Sequence, residues 1–188
     1  MDLVFFGIQG SGKGTQAKRL AAEFGYDIFE AGGELRKIAA TDSPLAEKVK
    51  SFMHAGNLVP HEIIMQVVKE AIAKRPSTTK ILFDGIPRDS EQMKDFNQIM
   101  NDAKREFRCI EFTLSKEEAV KRILGRAKAE GRADDANIEI ITRRMETFLT
   151  KTRPVIEVYR MQGKLKEIDA DRSVAEIYGE LKKVIGVF

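Results

Sequence analysis

A glycine-rich segment near the start of the chain carries residues suited to binding an anion. Residues 7–15 read GIQGSGKGT and close a short apolar run that begins at Asp2. Glycines let the backbone curve around a phosphate with its N–H groups pointing inward, and the following helix adds the positive end of its dipole. Lys13 supplies a full charge, and the Thr15 hydroxyl can reach a phosphate-bound Mg²⁺. The segment is predicted to be a phosphate-binding loop.

This loop departs by one position from the general pattern GxxxxGK[ST]. Gly14 occupies the Ser/Thr position, and Thr15 follows one residue later. The alternative is a glycine-rich turn that binds no phosphate. The lysine and the strand–loop–helix context disfavour that alternative.

A second candidate anion site is the sequence DGIPR at residues 84–88. Asp84 ends a predicted strand at the sheet edge where ligands bind, and it could hold Mg²⁺ through water. Arg88 could grip a phosphate with two parallel hydrogen bonds. Transfer of a phosphoryl group between two nucleotides requires such a second site, with charge neutralised and water excluded. The alternative is a chance turn in which Asp84 caps a helix and Arg88 is solvated.

Five arginines surround a polar segment at residues 125–137. They are Arg122, Arg126, Arg132, Arg143 and Arg144. Arg122 and Arg126 are four residues apart on one predicted helix, so both guanidinium groups would point to one place, and their planar shape suits phosphate. A solvated surface is the alternative for any one of them. The grouping favours a phosphate-binding role.

Apolar runs alternate with helical patterns along the chain. The predicted strands are residues 2–8, 26–29, 80–84, 107–114 and 165–168, and helical patterns occupy residues 13–24, 90–101, 115–128 and 173–185. Strands that alternate with helices of this length form βαβ units. We therefore expect an α/β fold with a five-stranded parallel sheet and helices on both faces.

Two segments interrupt this alternation. Residues 32–74 read as helical, with turns at Ser43-Pro44 and Gly56-Asn57, and the polar residues 125–137 interrupt a helical stretch that ends near Gly163. Neither segment can form a large core of its own, and such inserts are usually functional. We expect both to be mobile elements that cover a site.

Several motifs resemble those of the adenylate kinase family and occur in the family's order. GSGKGTQA at residues 10–17 resembles the family's phosphate-binding loop, and DGIPR resembles its DGFPR motif. GGELR at residues 32–36 and GNLVP at residues 56–60 resemble the segments that contact the acceptor nucleotide. Later segments resemble the arginine-bearing short lid and the turn on the donor adenine. The resemblance covers nearly the whole chain, from Leu3 to about Val184.

This resemblance implies a P-loop nucleoside triphosphate hydrolase-like core and transfer of the terminal phosphoryl group of ATP to AMP, with Mg²⁺. The implied core is residues 1–29, 60–124 and 138–188, with an NMP-binding insert at residues 30–59 and a short lid without zinc at residues 125–137. The implied catalytic residues are Lys13, Arg36, Arg88, Arg126, Arg132 and Arg144. The implied ATP-binding residues are Gly10, Ser11, Gly12, Lys13, Gly14, Thr15, Arg122, Arg126 and Arg172.

The resemblance also assigns the acceptor and metal sites. The implied AMP-binding residues are Ala31, Gly32, Arg36, Asn57, Leu58, Val59, Gly85, Ile86, Pro87, Arg88, Gln92, Arg132 and Arg144. The implied Mg²⁺ contacts are Thr15 and Asp84, the latter through water. One extra residue in the lid region leaves the register open between Arg143 and Arg144, and we prefer Arg144.

Departures from the family pattern support two alternatives. Ala31 stands where adenylate kinases usually have Thr and UMP/CMP kinases have Ala, whereas Gln92 favours adenine because an amide can form two hydrogen bonds with a base edge. The first alternative is therefore a UMP/CMP kinase. Gly33 replaces the family's acidic residue and Gln9 replaces its Pro, which motivates a nucleotide-binding regulator without turnover as the second alternative.

Composition excludes several other classes of protein. The 188 residues include 32 Lys and Arg against 29 Asp and Glu, with both signs interspersed, so a nucleic-acid-binding tail is not indicated. Cys109 is the single cysteine, which excludes a disulfide framework and suits a reducing compartment. No apolar stretch is long enough to span a membrane. His54 and His61 show no catalytic pattern. We expect a cytoplasmic protein, and family analogy implies a monomer.

Overall fold

Five parallel strands form the centre of the molecule. The computed structural model describes the backbone of residues 1–130 and 137–186 and the side chains of residues 1–125 and 137–186. The strands are β1 (Asp2–Phe6), β2 (Asp27–Glu30), β3 (Ile81–Asp84), β4 (Phe107–Thr113) and β5 (Leu165–Asp169). They pair in the order β2-β3-β1-β4-β5, with every pairing parallel. The predicted five-stranded parallel sheet is confirmed.

Helices connect the strands and cover both faces of the sheet. They are α1 (Lys13–Phe24), α2 (Ala31–Ala39), α3 (Pro44–His54), α4 (His61–Ala73), α5 (Ser90–Asp102), α6 (Lys116–Glu130), α7 (Ile138–Thr147), α8 (Arg153–Met161) and α9 (Val174–Ile185). A π-helical segment, Phe148–Thr152, joins α7 to α8. In the part of the chain that the structure describes, none of these helices combines the length and apolar character needed to cross a membrane.

The helix predicted at residues 115–128 corresponds to α6 and extends two residues further, to Glu130. The polar segment predicted from Gly125 onward therefore begins inside this helix. Residues 126–130 read RAKAE, and these residue types are good helix formers, so a single glycine does not end the helix. The predicted end of the helical stretch near Gly163 agrees with the end of α8 at Met161.

Side chains alternate between the two faces of the sheet and build two cores. On β1, Leu3 and Phe5 face one side, while Val4 and Phe6 face the other, and all four are buried. The first side packs against α1 and α9, through residues such as Leu20 and Leu181. The second side packs against α4, α5 and α8, through Ile64, Phe96 and Tyr159. The central strand of the sheet, β1, is therefore covered on both faces.

The carboxyl ends of β1 and β3 lie side by side. Phe5 of β1 is in register with Asp84 of β3, and the predicted phosphate-binding loop follows β1 directly. Because both strands point the same way, the loop and Asp84 reach the same edge of the sheet. The two candidate anion sites of the sequence therefore come from neighbouring strands.

Candidate active site

A cleft of about 700 Å³ opens at this edge of the sheet. Every predicted site residue whose side chain the structure describes lines the cleft. These residues are Gly10, Ser11, Gly12, Lys13, Gly14, Thr15, Ala31, Gly32, Arg36, Asn57, Leu58, Val59, Asp84, Gly85, Ile86, Pro87, Arg88, Gln92, Arg122, Arg144 and Arg172. The side chain of Arg126 and the whole of Arg132 lie outside the described part of the chain.

Two glycines of the loop are required by close packing. A Cβ on Gly7 would lie 2.6 Å from Ser11 Oγ and 2.7 Å from the carbonyl oxygen of Phe112. A Cβ on Gly10 would lie 2.8 Å from the carbonyl oxygen of Ala119, and both glycines have positive φ. The loop is therefore held in a tightly curved shape by backbone contacts on its outer side.

Lys13 places its charge at the mouth of this loop. Its Nζ donates hydrogen bonds to the carbonyl oxygens of Gly7, at 2.7 Å, and Ile8, at 3.1 Å. Lys13 is also the first residue of α1, whose N-terminus faces the same space. The ammonium group and the helix N-terminus thus combine into one positively charged concave surface, which suits a phosphate chain.

Oxygen ligands for a hard cation lie beside the loop. Asp84 is 8 % exposed, and its Oδ2 lies 3.8 Å from the position that a Cβ on Gly14 would occupy. Thr15, the next residue, also lines the cleft. A carboxylate and a hydroxyl are ligands of the kind that Mg²⁺ accepts, directly or through water. The residues present therefore fit a magnesium ion between the loop and β3.

Three arginines come together on the opposite side of the cleft. Arg88 Nε donates to the carbonyl oxygen of Gly85 at 2.7 Å, which holds the side chain along its own turn. Desolvation lowers the pKa of Arg88, the carboxylates of Asp84 and Glu30 raise it, and the positive charges of Arg144 and Arg36 lower it. The guanidinium group nevertheless stays charged, because arginine does not lose its proton in proteins. Such a cluster is suited to a dianionic phosphate.

Gln92 is oriented by the same turn. Its side chain is 2 % exposed, and its Oε1 accepts a 2.8 Å hydrogen bond from the backbone N–H of Arg88. The Gln92 Nε2 group is left as the donor that can reach a base in the cleft. The sequence predicts two hydrogen bonds from this amide to adenine. Oε1 can accept the second of these while it keeps the bond from Arg88, because an amide oxygen has two lone pairs.

The structure separates the two adjacent arginines of α7. Arg144 lines the cleft, and its charge acts on Arg88. Arg143 instead donates a 3.3 Å hydrogen bond to the carbonyl oxygen of Ala55, at the end of α3. The helix rotation therefore places Arg144, and not Arg143, with the arginine cluster.

Two further predicted arginines with described side chains, Arg122 and Arg172, lie near the start of α9. Arg122 donates a 2.9 Å hydrogen bond to the carbonyl oxygen of Ala170, and it pairs with Glu118 at 2.9 Å. Arg172 contacts Glu180 and the carbonyl oxygen of Asp169. Together with Val174 and Ile177 they form the wall of the cleft beyond the phosphate loop. This wall is where a donor base would lie if its phosphates occupied the loop.

Three residues that the sequence did not single out belong to this site. Glu30 pairs with Arg36 at 2.8 Å. Thr152 Oγ1 donates to the carbonyl oxygen of Arg88 at 2.8 Å. Gln16 is 1 % exposed, and its Nε2 donates to the carbonyl oxygen of Val174 at 3.0 Å. Thr152 and Gln16 act across long sequence separations, and no local motif marks such contacts.

Comparison with known proteins identifies relatives of this chain. The family model described as "Adenylate kinase" matches residues 5–164. An adenylate kinase of Thermus thermophilus is 36 % identical over 186 residues, which cover 98 % of this chain and 97 % of that protein. Adenylate kinase isoenzyme 1 of Caenorhabditis elegans is 38 % identical over 179 residues, covering 93 % of this chain and 83 % of that protein.

A relative with a different name is almost as similar. The UMP-CMP kinase of Mus musculus is 34 % identical over 180 residues, which cover 93 % of this chain and 91 % of that protein. All three relatives span nearly the whole chain, and the family match covers both the loop and the arginine cluster. The predicted resemblance is confirmed: this chain belongs to the adenylate kinase family.

Proposed function

We propose that this protein catalyses the reversible transfer of the terminal phosphoryl group of ATP to AMP, giving two ADP. The observation that carries the proposal is that one cleft contains two anion sites of different construction. The loop around Lys13 is one, and the arginine cluster of Arg36, Arg88 and Arg144 is the other. A cleft that binds a single nucleotide has no need of the second site. Membership of the adenylate kinase family supports the same reaction.

In this mechanism the chain positions two anions and neutralises their charge. The loop N–H groups and Lys13 hold the donor phosphates, while Arg36, Arg88 and Arg144 hold the acceptor phosphate. An acceptor phosphate oxygen forms a bond to the γ-phosphorus as the bond from that phosphorus to the β–γ bridging oxygen breaks. The acceptor oxygen is already anionic, so the step requires no strong general base. Positioning and charge stabilisation then account for catalysis.

Thr15 and Asp84 are the residues that would hold Mg²⁺, Asp84 through water. When bound there, the ion would neutralise charge on the donor phosphates. The Asp84 carboxylate is in register with the end of β1, so the sheet itself fixes its distance from the loop. Rigid placement of this kind favours a repeatable geometry for the metal–nucleotide complex.

Two features of the cleft bear on the identity of the acceptor base. Ala31, Leu58, Val59 and Ile86 provide an apolar wall, and Gln92 provides a polar group beside it. Gln92 favours AMP, whereas Ala31 and the similarity to a UMP-CMP kinase favour a pyrimidine nucleotide. We place AMP first, because an amide can distinguish bases by hydrogen bonds and a methyl group cannot.

Two inserts complete the proposed enzyme. Residues 30–59 would form the NMP-binding insert, and its segment at residues 56–59 lines the cleft. Residues 125–137 would form the lid, from which Arg126 and Arg132 would approach the phosphates. Closure of both would exclude water from the transferring group. We further propose that the protein acts as a monomer in the cytoplasm.

A coupled assay of ADP formation tests the proposal. The protein is incubated with Mg²⁺ and ATP and with AMP, UMP, CMP or GMP as acceptor. We expect AMP to give the highest kcat/KM. A higher value with UMP or CMP would instead assign a UMP/CMP kinase. Tight binding of a dinucleoside polyphosphate without turnover of any acceptor would indicate the nucleotide-binding regulator.

A further inference from the structure

The carboxylate of Glu30 lies inside the acceptor end of the cleft. Glu30 is the last residue of β2 and immediately precedes α2. Its Oε1 accepts a 2.8 Å hydrogen bond from Nη2 of Arg36, and both side chains are partly exposed, at 47 % and 43 %. Both residues line the cleft. A negative group therefore already pairs with one of the arginines proposed to bind the acceptor phosphate.

Gly32 and Gly33, which follow Glu30, leave space for its carboxylate. A Cβ on Gly33 would lie 3.0 Å from Glu30 Oε2, and a Cβ on Gly32 would lie 3.4 Å from Glu30 Oε1. The carboxylate thus lies over the first turn of α2, where the helix dipole favours negative charge. Gly33 is also the position at which the family carries an acidic residue. In this chain, a carboxylate reaches the same turn from Glu30.

Glu30 also acts on the rest of the arginine cluster. Arg36 and Arg144 both disfavour the charged form of Arg88, whereas Glu30 and Asp84 favour it. The three guanidinium groups repel one another, and the two carboxylates offset that repulsion. An acceptor phosphate would supply the same compensation with a larger charge.

We propose that Glu30 is an internal counter-anion that lowers the affinity of the acceptor site, because the acceptor phosphate must displace its carboxylate from Arg36. This inference rests on the proposed function. An exposed ion pair is weak, so the displacement costs little. Once displaced, the carboxylate remains close to a dianion and repels it. Glu30 is thus an affinity-determining residue that leaves the reacting atoms untouched.

Glu30→Gln tests this inference. The amide keeps the shape and removes the charge, so we expect the KM for AMP and the Kd for AMP from calorimetry to fall by about 3- to 5-fold. The KM for ATP should change by less than about twofold, since the charge lies at the acceptor end. The matched control is Glu34→Gln on α2, the helix that Glu30 precedes. It removes the exposed 2.7 Å ion pair with Lys37 and should leave both KM values unchanged.

An unchanged or raised KM and Kd for AMP in Glu30→Gln would overturn the inference, because a residue that only orients Arg36 would give that result. Adding Gly33→Asp to Glu30→Gln returns a carboxylate to the turn and should restore the parent KM for AMP. If the lower KM persists in the double variant, the carboxylate is not its cause.

The proposed function can fail independently of this inference. If the parent protein transfers phosphate to no acceptor, the proposed function fails. The calorimetric Kd for AMP in the parent and in Glu30→Gln still decides the role of Glu30 in that case.

Discussion

The hydroxyl of Thr152 donates a 2.8 Å hydrogen bond to the carbonyl oxygen of Arg88, joining two segments 64 residues apart. Thr152 is 5 % exposed and ends the π-helical segment between α7 and α8. π-Helical turns inside helices occur frequently at functional sites. Here the segment fixes the backbone of the turn that carries an acceptor-site arginine.

Thr152→Val should therefore lower both stability and activity. Loss of this hydrogen bond is expected to reduce the free energy of unfolding by about 1 kcal/mol. A less precisely held Arg88 is expected to lower kcat by about tenfold. Urea unfolding and the coupled assay measure the two effects. The control is Thr150→Val. It removes an exposed 2.8 Å hydrogen bond from the Thr150 hydroxyl to the backbone carbonyl oxygen of Glu146 and should leave kcat unchanged. Equal kcat values for both variants would remove Thr152 from the positioning of Arg88.

The adjacent arginines of α7 should differ in their contribution to catalysis. Arg144→Ala removes a charge from the cleft, and we expect kcat to fall by on the order of 10². Arg143→Ala removes a contact with Ala55 outside the arginine cluster and should change kcat by less than about threefold. Steady-state kinetics of the two variants provide the comparison. A larger loss in Arg143→Ala would mean that the register of α7 assigned to this site is wrong.

A buried oxygen at Gln16 should cost the protein stability. The Oε1 atom has no hydrogen-bond partner among the described residues, and a buried unsatisfied acceptor is unfavourable. Gln16→Met removes this oxygen and also the 3.0 Å hydrogen bond from Nε2 to Val174, whose carbonyl oxygen keeps a 3.4 Å bond from Arg19. We therefore expect the free energy of unfolding to rise by less than about 1 kcal/mol. Gln98→Met is the control at an exposed amide that pairs with Asp102, and its effect should stay within about 0.5 kcal/mol. A destabilised Gln16→Met variant would contradict this prediction and show that the bond to Val174 contributes more than the unpaired oxygen costs.

Acid should weaken the contact between α1 and α9. The Tyr178 hydroxyl donates a 2.7 Å hydrogen bond to Glu23, and this bond, with Lys182 nearby, lowers the pKa of Glu23 below its usual 4.5. A lowered pKa stabilises the folded state above about pH 4.5, and that contribution is lost as the pH falls through the folded-state pKa. The parent should therefore exceed Glu23→Gln in unfolding free energy at pH 7 and lose this advantage in acid. An advantage that grows on acidification would contradict the assignment.

The sequence was sufficient for the sheet and for the two anion-binding segments. Buried parallel strands leave continuous apolar runs, and the loop around Lys13 and the turn at Asp84 each lie within a few residues. Their chemistry is local, so it is readable without the fold. Their approach to one another followed from the rule that parallel strands present their carboxyl ends at one edge.

Other parts of the site depend on relationships that no local pattern records. Whether Arg143 or Arg144 faces the cleft depends on the rotation of α7, and the contact of Thr152 with Arg88 depends on a π-helical turn. The role of Glu30 depends on the position of its carboxylate beside Gly33. The sequence alone shows only that Gly33 replaces the family's acidic residue. The first two features come from packing between segments that are remote in sequence, whereas the position of the Glu30 carboxylate depends on the local conformation at the start of α2.

The central claim is that two nucleotides lie in one cleft with their phosphates facing each other. Calorimetric titration with two adenosines joined by five phosphates tests it most directly. We predict one molecule bound per chain, competition with both ATP and AMP, and weaker binding to Arg88→Ala. Two molecules bound per chain, or competition with ATP alone, would contradict the claim.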